Sequence, residues 1–337
     1  MITQTTDVLP LVSSDLRREI IAAPRTVEAH RALFAKTDAM HLVQKGGAAL
    51  GKMAPEPMTI AAWNVERCLF PKETAEKLEQ VKASVVLLSE VDHGMARTGQ
   101  RHTAEEVARH LGMEYVFGVE FFELGLGSLT ERDLCKDSEN ARGWHGNAIL
   151  SSIPLGRVAL VRLDDHGHWF ATDYCADPEQ PRIGGRMALL AEVETKKGPL
   201  CVVSTHLESN AGAHHRAIQF EALMDAVDLF APGFPVVIGG DLNTGNHLPP
   251  DFDWKSETLF QAAEKRGYSW DGTAKGMSTR PSLITRHPDR TMKLDWFACR
   301  GLQAKVPRIV SSVSGDLPLS DHDLIVMSCE FDTTIAG

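Results

Sequence analysis

Short aliphatic and β-branched runs recur along the chain, and several of them end in polar side chains. Met58-Thr59-Ile60-Ala61-Ala62-Trp63 runs into Asn64-Val65-Glu66-Arg67, and Ser84-Val85-Val86-Leu87-Leu88-Ser89 runs into Glu90. Residues 200–205 deliver His206, and Pro235-Val236-Val237-Ile238-Gly239-Gly240 delivers Asp241 and Asn243. Runs of this length, bounded by Gly, Pro or charge, predict buried strands. The same pattern predicts strands at 115–119, 146–151, 187–194, 294–299 and 324–331. Helical spacing predicts a segment from Ser14, as its cap, to Ala22, and a second beyond Pro24 carrying Val27, Leu33 and Phe34. Further helices are expected at 74–81, 103–111 and 214–228. Residues 123–142 form a polar excursion, 164–185 a long loop, and 248–287 a less regular region.

Strands and helices alternate, yet several strand pairs have connections too short for a helix. That combination predicts an α/β (α+β) fold of mixed sheets with helices outside, a layered sandwich. Residues 1–54 are expected to form an N-terminal helical extension and linker packed over a main domain at 55–333, with Gly46-Gly47 and 51–57 as the linker. The chain has 337 residues, 43% of them hydrophobic, enough for one large core plus that extension.

The net charge of −10 argues against gripping long duplex nucleic acid by charge alone. It leaves a nuclease open, because a divalent cation would supply local positive charge. Cys68, Cys135, Cys175, Cys201, Cys299 and Cys329 are scattered without a CxxC pair and are expected as reduced core residues of a cytoplasmic protein. The first residues lack a basic stretch followed by an apolar run, and no run is long enough to span a bilayer.

The candidate chemistry lies at the strand ends: Asn64 and Glu66, Glu90, His206, Asp241 and Asn243, and Asp321 with His322. Asp295 sits inside the apolar run Leu294-Asp295-Trp296-Phe297-Ala298, where an unpartnered carboxylate is costly. A histidine is its natural partner, since the carboxylate fixes the tautomer and favours the charged ring; His322 is the candidate. Oxygen ligands such as Glu66, Glu90 and Asp321 suit Mg²⁺, with Mn²⁺ as the alternative. Carboxylate-held magnesium beside histidines and amides is an arrangement for phosphoryl transfer. Arg186 and His145 are further candidates for contacting a substrate phosphate. Asp164-Asp165-His166-Gly167-His168 is expected as a solvated loop, with metal binding as its alternative. Arg216 is expected in a surface salt bridge, with contact to a substrate phosphate as its alternative, and His214 and His215 at an exposed helix start. Trp144, Trp169, Trp254 and Trp270 are expected in loops, packing there or stacking on a ligand.

Seven motifs occur in order: Trp63-Asn64-Val65-Glu66, Leu87-Leu88-Ser89-Glu90-Val91, Gly146-Asn147-Ala148-Ile149-Leu150-Ser151, Ser204-Thr205-His206-Leu207, Gly239-Gly240-Asp241-Leu242-Asn243, Lys293-Leu294-Asp295-Trp296-Phe297 and Ser320-Asp321-His322. From about Thr59 to Phe331 the chain resembles the endonuclease/exonuclease/phosphatase superfamily, which includes AP endonucleases, pancreatic-type deoxyribonucleases, neutral sphingomyelinases and inositol polyphosphate 5-phosphatases. The resemblance implies a four-layer α/β sandwich with metal-dependent phosphoester hydrolysis at one edge of two sheets. Carried over by motif, Glu90 is the principal metal ligand, and Glu66 and Asp321 assist directly or through water. Asn64 orients a phosphate or nearby side chains. Asp241 aligns or deprotonates the attacking water, and Asn243 holds the water or a phosphate oxygen. His322, oriented by Asp295, binds the scissile phosphate, and His206 falls where other branches contact the phosphate or leaving group. The chain departs from the pattern at Ser89, where the family usually has Gln, and at Glu66, one methylene longer than the Asp of AP endonucleases. The 5-phosphatase signatures are absent. The expected substrate is a phosphodiester, small or lipid-derived in preference to nucleic acid. An AP-endonuclease-like nuclease and a catalytically silent binding member are the alternatives.

Overall fold

A computed structural model describes residues 1–51, 53–174, 180–245, 253–285 and 288–331. The chain begins with β1 (Thr5–Thr6), α1 (Ser14–Ala22), α2 (Val27–Ala35), β2 (Val43–Gly47), β3 (Met58–Arg67), α3 (Pro71–Val81) and β4 (Val85–His93). It continues through α4 (Thr103–Leu111), β5 (Glu114–Glu123), α5 (Leu129–Arg132), β6 (Trp144–Ser151), β7 (Leu155–Arg162), β8 (Arg182–Gly184), β9 (Met187–Thr195) and β10 (Gly198–His206). The last part holds α6 (Ala213–Phe230), β11 (Val236–Asp241), α7 (Leu259–Lys265), β12 (Asp295–Arg300), β13 (Leu302–Val310), a small hairpin of β14 (Val313–Ser314) and β15 (Leu317–Pro318), and β16 (Leu324–Phe331).

The larger sheet has the order β1-β2-β5-β6-β4-β3-β16-β13, with β8 added against β5; the smaller has the order β12-β11-β10-β9-β7. Both are mixed: β3 and β4 are parallel, as are β10 and β11, and most other pairs are antiparallel. The continuous apolar runs follow from burial on both faces of each sheet. Along β3, Ala61, Trp63 and Val65 enter one core, with the helices α1 to α4, while Ile60 and Ala62 enter a second core between the sheets. Along β11, Val237 joins that middle core while Val236 and Ile238 pack with α6 and α7. Helices, sheet, sheet and helices therefore stack as four layers, as expected.

Residues 1–47 are built into the larger sheet. Ile20 and Leu33 are buried in its helix-side core, β2 pairs with β5, and β1 pairs with β2. The cap of α1 is Ser13 rather than Ser14: the Ser13 hydroxyl accepts from Leu16 N at 3.2 Å. Three strands of five residues or more have no clear sequence signal, besides the short β1, β8, β14 and β15. Gly-rich β2 was hidden in the linker. A bulge breaks the pairing of β7, and β13 is a mostly exposed edge strand containing Pro307.

Arg216 corrects the surface expectation. Both it and Glu257 have fully buried side chains, with Arg216 Nε donating to Glu257 Oε1 at 3.0 Å. The same oxygen accepts from Gly245 N at 2.8 Å, so the pair anchors the turn after Asn243. Removing one member leaves a buried charge alone, so Glu257→Ala is expected to lower the unfolding free energy by about 3–5 kcal/mol. Urea melts should show a lower midpoint at unchanged slope, and a parent-like midpoint would refute the anchoring role. Trp144 is likewise no loop residue: it lies in β6, fully buried. Trp254 and Trp270 pack with Phe260 and Trp296. Cys68, Cys135, Cys201, Cys299 and Cys329 are free thiols, while Cys175 lies outside the described residues. Among the described residues no helix is long and apolar enough to cross a membrane.

Candidate active site

Sheet register brings the polar strand ends together. His206 on β10 is the pairing partner of Asp241 on β11, and Asp241 that of Asp295 on β12. Gly240 makes that row possible: its φ is +149°, and a Cβ there would lie 1.9 Å from Thr205 O. In the larger sheet the ladders shift register between Asn64 and Arg67 and between Leu88 and Val91. Such bulges re-aim side chains. Glu66, Arg67, Cys68, Glu90 and Asn243 all have positive φ, between 41° and 74°. Backbone strain gathered in non-glycine residues at the end of β3, in β4 and in the turn after β11, drawn from both sheets, points to a functional site.

Glu66, Glu90, His145, Arg186, His206, Asp241, Asn243, Asp321 and His322 all line one cleft of about 430 Å³. Asn64 and Asp295 stand behind its wall and hold the lining groups. Asn64 Nδ2 donates to Glu90 Oε1 (3.0 Å) and Asp241 Oδ2 (3.1 Å), coupling the two sheets. That Asp241 oxygen also lies 3.6 Å from His206 Nε2 and 3.6 Å from His322 Nε2. The other, Oδ1, accepts from Asn243 N at 2.8 Å. Asn243 Nδ2 donates to Leu207 O at 3.0 Å, which ties the β11 turn to the end of β10.

His322 Nδ1 donates to Asp295 Oδ2 at 2.8 Å, which leaves Nε2 for the cleft. Burial opposes the charged ring, but Asp295, Asp241 and Asp321 outweigh it and hold the His322 pKa well above the usual imidazole value. The loop carrying His322 is pinned to β3: Trp63 Nε1 donates to His322 O (2.8 Å) and Ser320 Oγ to Asn64 O (2.7 Å). On the opposite side, Arg186 Nη1 donates to His206 Nδ1 at 2.8 Å. A guanidinium has no acceptor, so Nδ1 accepts and the His206 proton sits on Nε2, toward Asp241.

Two candidates for phosphate binding are already engaged. Arg186 donates to Glu120 (2.7 Å), Glu208 (3.3 Å) and Ser209 (3.2 Å) besides His206. That makes it a positioning group for His206 rather than a free clamp. His145 Nδ1 is 2.8 Å from Asp92 Oδ1. Asp92 is in turn gripped by fully buried Arg97, which also reaches Glu123 (2.8 Å) and Glu131 (3.1 Å). Arg67 contacts both Glu90 and Glu131. None of Arg67, Arg97, Glu120 or Glu131 stood out in the sequence. Glu120 had a signal, because an acid inside the apolar run of β5 needs a partner just as Asp295 does.

The carboxylates fit a hard divalent cation. Glu66 accepts from Ser282 Oγ (2.8 Å) and from Asp321 N (3.1 Å). Burial, and then the neighbouring Asp321 charge, push its pKa up to about 8. Glu66, Glu90 and Asp321 line the same cleft and are oxygen donors of the kind that suits Mg²⁺ or Mn²⁺. Ser89, the departure from the family pattern, has a buried hydroxyl with no hydrogen-bond partner among the described residues.

Comparison with known proteins gives the arrangement a family. No curated protein matches the chain. Similar solved structures include an endonuclease/exonuclease/phosphatase from Beutenbergia cavernae DSM 12333 (TM-score 0.56, 18% identity, 81% of this chain and 71% of that one). A functionally unknown conserved protein from Enterococcus faecalis V583 has TM-score 0.57 and 16% identity over 82% of this chain and 100% of that one. The human Nocturnin catalytic domain with bound sulfate anion has TM-score 0.54 and 18% identity over 86% and 97% of the respective chains. At these identities the likeness is one of fold. The Endonuclease/Exonuclease/phosphatase family model matches residues 61–322, from β3 to His322 itself. Members of that family are metal-dependent hydrolases of phosphoester bonds. The chain belongs to the endonuclease/exonuclease/phosphatase family.

Proposed function

We propose that the chain is a Mg²⁺-dependent phosphodiesterase acting on a small or lipid-derived phosphodiester. The observation that carries this reading is the convergence on Asp241 Oδ2 of Asn64, His206 and His322, drawn from both sheets. Asp241 receives a proton from the attacking water, with Asn243 N holding its other oxygen so that Oδ2 faces the cleft. His322, charged and steadied by Asp295, donates through Nε2 to a non-bridging phosphate oxygen and offsets the charge that grows there. His206 presents Nε2–H on the same side and donates to the phosphate or the departing alkoxide. Glu66, Glu90 and Asp321 hold the cation, which when bound supplies Lewis-acid polarisation of the phosphoryl group. A cleft of about 430 Å³ has the size of a small-ligand pocket, and the net charge of −10 disfavours a long polyanion. The free cysteines support a cytoplasmic location.

Hydrolysis of bis-p-nitrophenyl phosphate tests the reaction. Turnover is expected to vanish after chelation, return with Mg²⁺, and be lost in Glu90→Ala and His322→Ala. Metal-independent rates, or variants indistinguishable from the parent, would favour a silent binding member. A panel of abasic duplex, single-stranded RNA, sphingomyelin and phosphatidylinositol phosphates then tests the substrate class. Preference for abasic duplex would overturn the small-substrate reading in favour of a nuclease.

A further inference from the structure

We propose that Asp164, His168 and His215 form a second metal site, separate from the cleft, that takes Zn²⁺ or a similar late first-row divalent ion. One donor atom from each residue lies within 4.8 Å of the others. The Asp164 side chain is 2% exposed and that of His215 22%, while His168 is 6% exposed. Each carries a buried polar atom without a hydrogen-bond partner among the described residues: Asp164 Oδ1, His168 Nδ1 and His215 Nε2. Leaving such an atom unsatisfied costs about 1–3 kcal/mol, so three residues that each carry one and bring donor atoms within 4.8 Å of one another call for a common ligand. A simple ion pair does not supply it. His215 Nε2 stands 3.7 Å from Asp164 Oδ2, beyond hydrogen-bond length, and a His215–Asp164 pair would leave His168 Nδ1 unexplained.

The surrounding groups hold the donors in place. Asp164 Oδ2 accepts from Gln219 Nε2 at 2.6 Å, which fixes the carboxylate as outer hydrogen bonds do for metal ligands. The His168 ring stacks on Tyr174 with centroids 4.3 Å apart. Another imidazole, His166, has its ring centroid 5.8 Å from that of His168 and 5.9 Å from that of His215. Two imidazoles and one carboxylate select Zn²⁺ and its neighbours over Mg²⁺, the reverse of the all-oxygen set in the cleft. The sequence pattern of 164–168 suggested a solvated loop because His215 enters from 47 residues beyond His168, on the first turn of α6.

The ion clamps the segment after β7 to the start of α6. That segment leads directly into Trp169, which lines the cleft and donates through Nε1 to Glu208 Oε2 at 3.1 Å. Glu208 N in turn donates to Gln219 Oε1 at 2.9 Å. The clamp therefore sets one wall of the cleft without touching the reacting groups.

The test uses the full chain with the cleft disabled by Glu90→Ala, Asp321→Ala and His322→Gln, stripped with chelator, loaded with Zn²⁺ and dialysed. One retained Zn²⁺ per chain is expected, with X-ray absorption showing two imidazole nitrogens. Adding His168→Gln or His215→Gln should weaken binding at least about tenfold, since even the outer partners of metal ligands are worth about 10–100-fold in affinity. Circular dichroism checks that those variants fold. No Zn²⁺ retained, a spectrum without imidazole, or His168→Gln binding like its parent would each overturn the site. Should the histidine variants unfold, the spectrum of the cleft-disabled chain decides by itself.

Discussion

Asp241→Asn should lower kcat by about 10²–10⁴-fold, the range for losing a positioned general base, while KM changes little. The substitution keeps the shape of the side chain and one acceptor oxygen, so the bond from Asn243 N (2.8 Å in the parent) can persist. What disappears is the charge at Oδ2, where Asn64 donates at 3.1 Å and two imidazole Nε2 atoms stand 3.6 Å away. An amide nitrogen at that point faces three donors and can accept no proton from water. The asymmetry between kcat and KM follows from the proposed roles, in which Asp241 acts on the water while His322 and the cation would hold the substrate phosphate. Steady-state kinetics with Mg²⁺ on bis-p-nitrophenyl phosphate gives both constants, and a thermal melt shows whether the fold is intact. A folded Asp241→Asn protein with parental kcat would remove Asp241 from the chemistry.

The parts of this site that could be read from the sequence are those whose cost is visible locally. Asp295 breaks an apolar run, so its need for a partner is written in its neighbours, and His322 lies 2.8 Å away. Gly239-Gly240, which reads as the boundary of its run, instead pairs inside β11, where Gly240 abuts Thr205. A layered sandwich of sheets covered on both faces follows from the long apolar runs of the strands, and the count of four layers is what the family resemblance implies. What could not be read is pairing between distant charges. Arg97 sits among Met95, Ala96 and Thr98 like any surface arginine, and only the folded chain surrounds it with Asp92, Glu123 and Glu131. Arg216 lies near the start of α6, where its neighbours His214 and His215 give it the look of a polar surface, and only the fold buries it against Glu257. Strands such as β13, exposed along much of their length, lack the apolar signature because nothing covers them.

Asp295→Asn separates two jobs that one carboxylate performs for His322. The amide can still accept from Nδ1, so the ring keeps its orientation. Asp295 Oδ1 has no hydrogen-bond partner among the described residues, so the new NH₂ displaces no bond recorded there. The charge is lost, however. In the parent, burial disfavours the imidazolium and Asp295 is the largest of the influences that reverse this. Without it, burial prevails over Asp241 and Asp321 to a greater degree, and the ring deprotonates at lower pH. Since a neutral His322 offsets less charge on the phosphate, kcat is expected to fall about 10²–10³-fold near neutral pH, the scale of one oxyanion-type donor. The sign of the pH dependence is fixed: the variant should recover as pH falls and lose activity as pH rises, over a range where the parent stays flat. A merely structural role for Asp295 would lower stability and leave the shape of that profile unchanged. If the variant matches the parent in both rate and profile, His322 owes its charge to Asp241 and Asp321 alone, and the pairing of a buried strand acid with the last loop is architecture rather than chemistry.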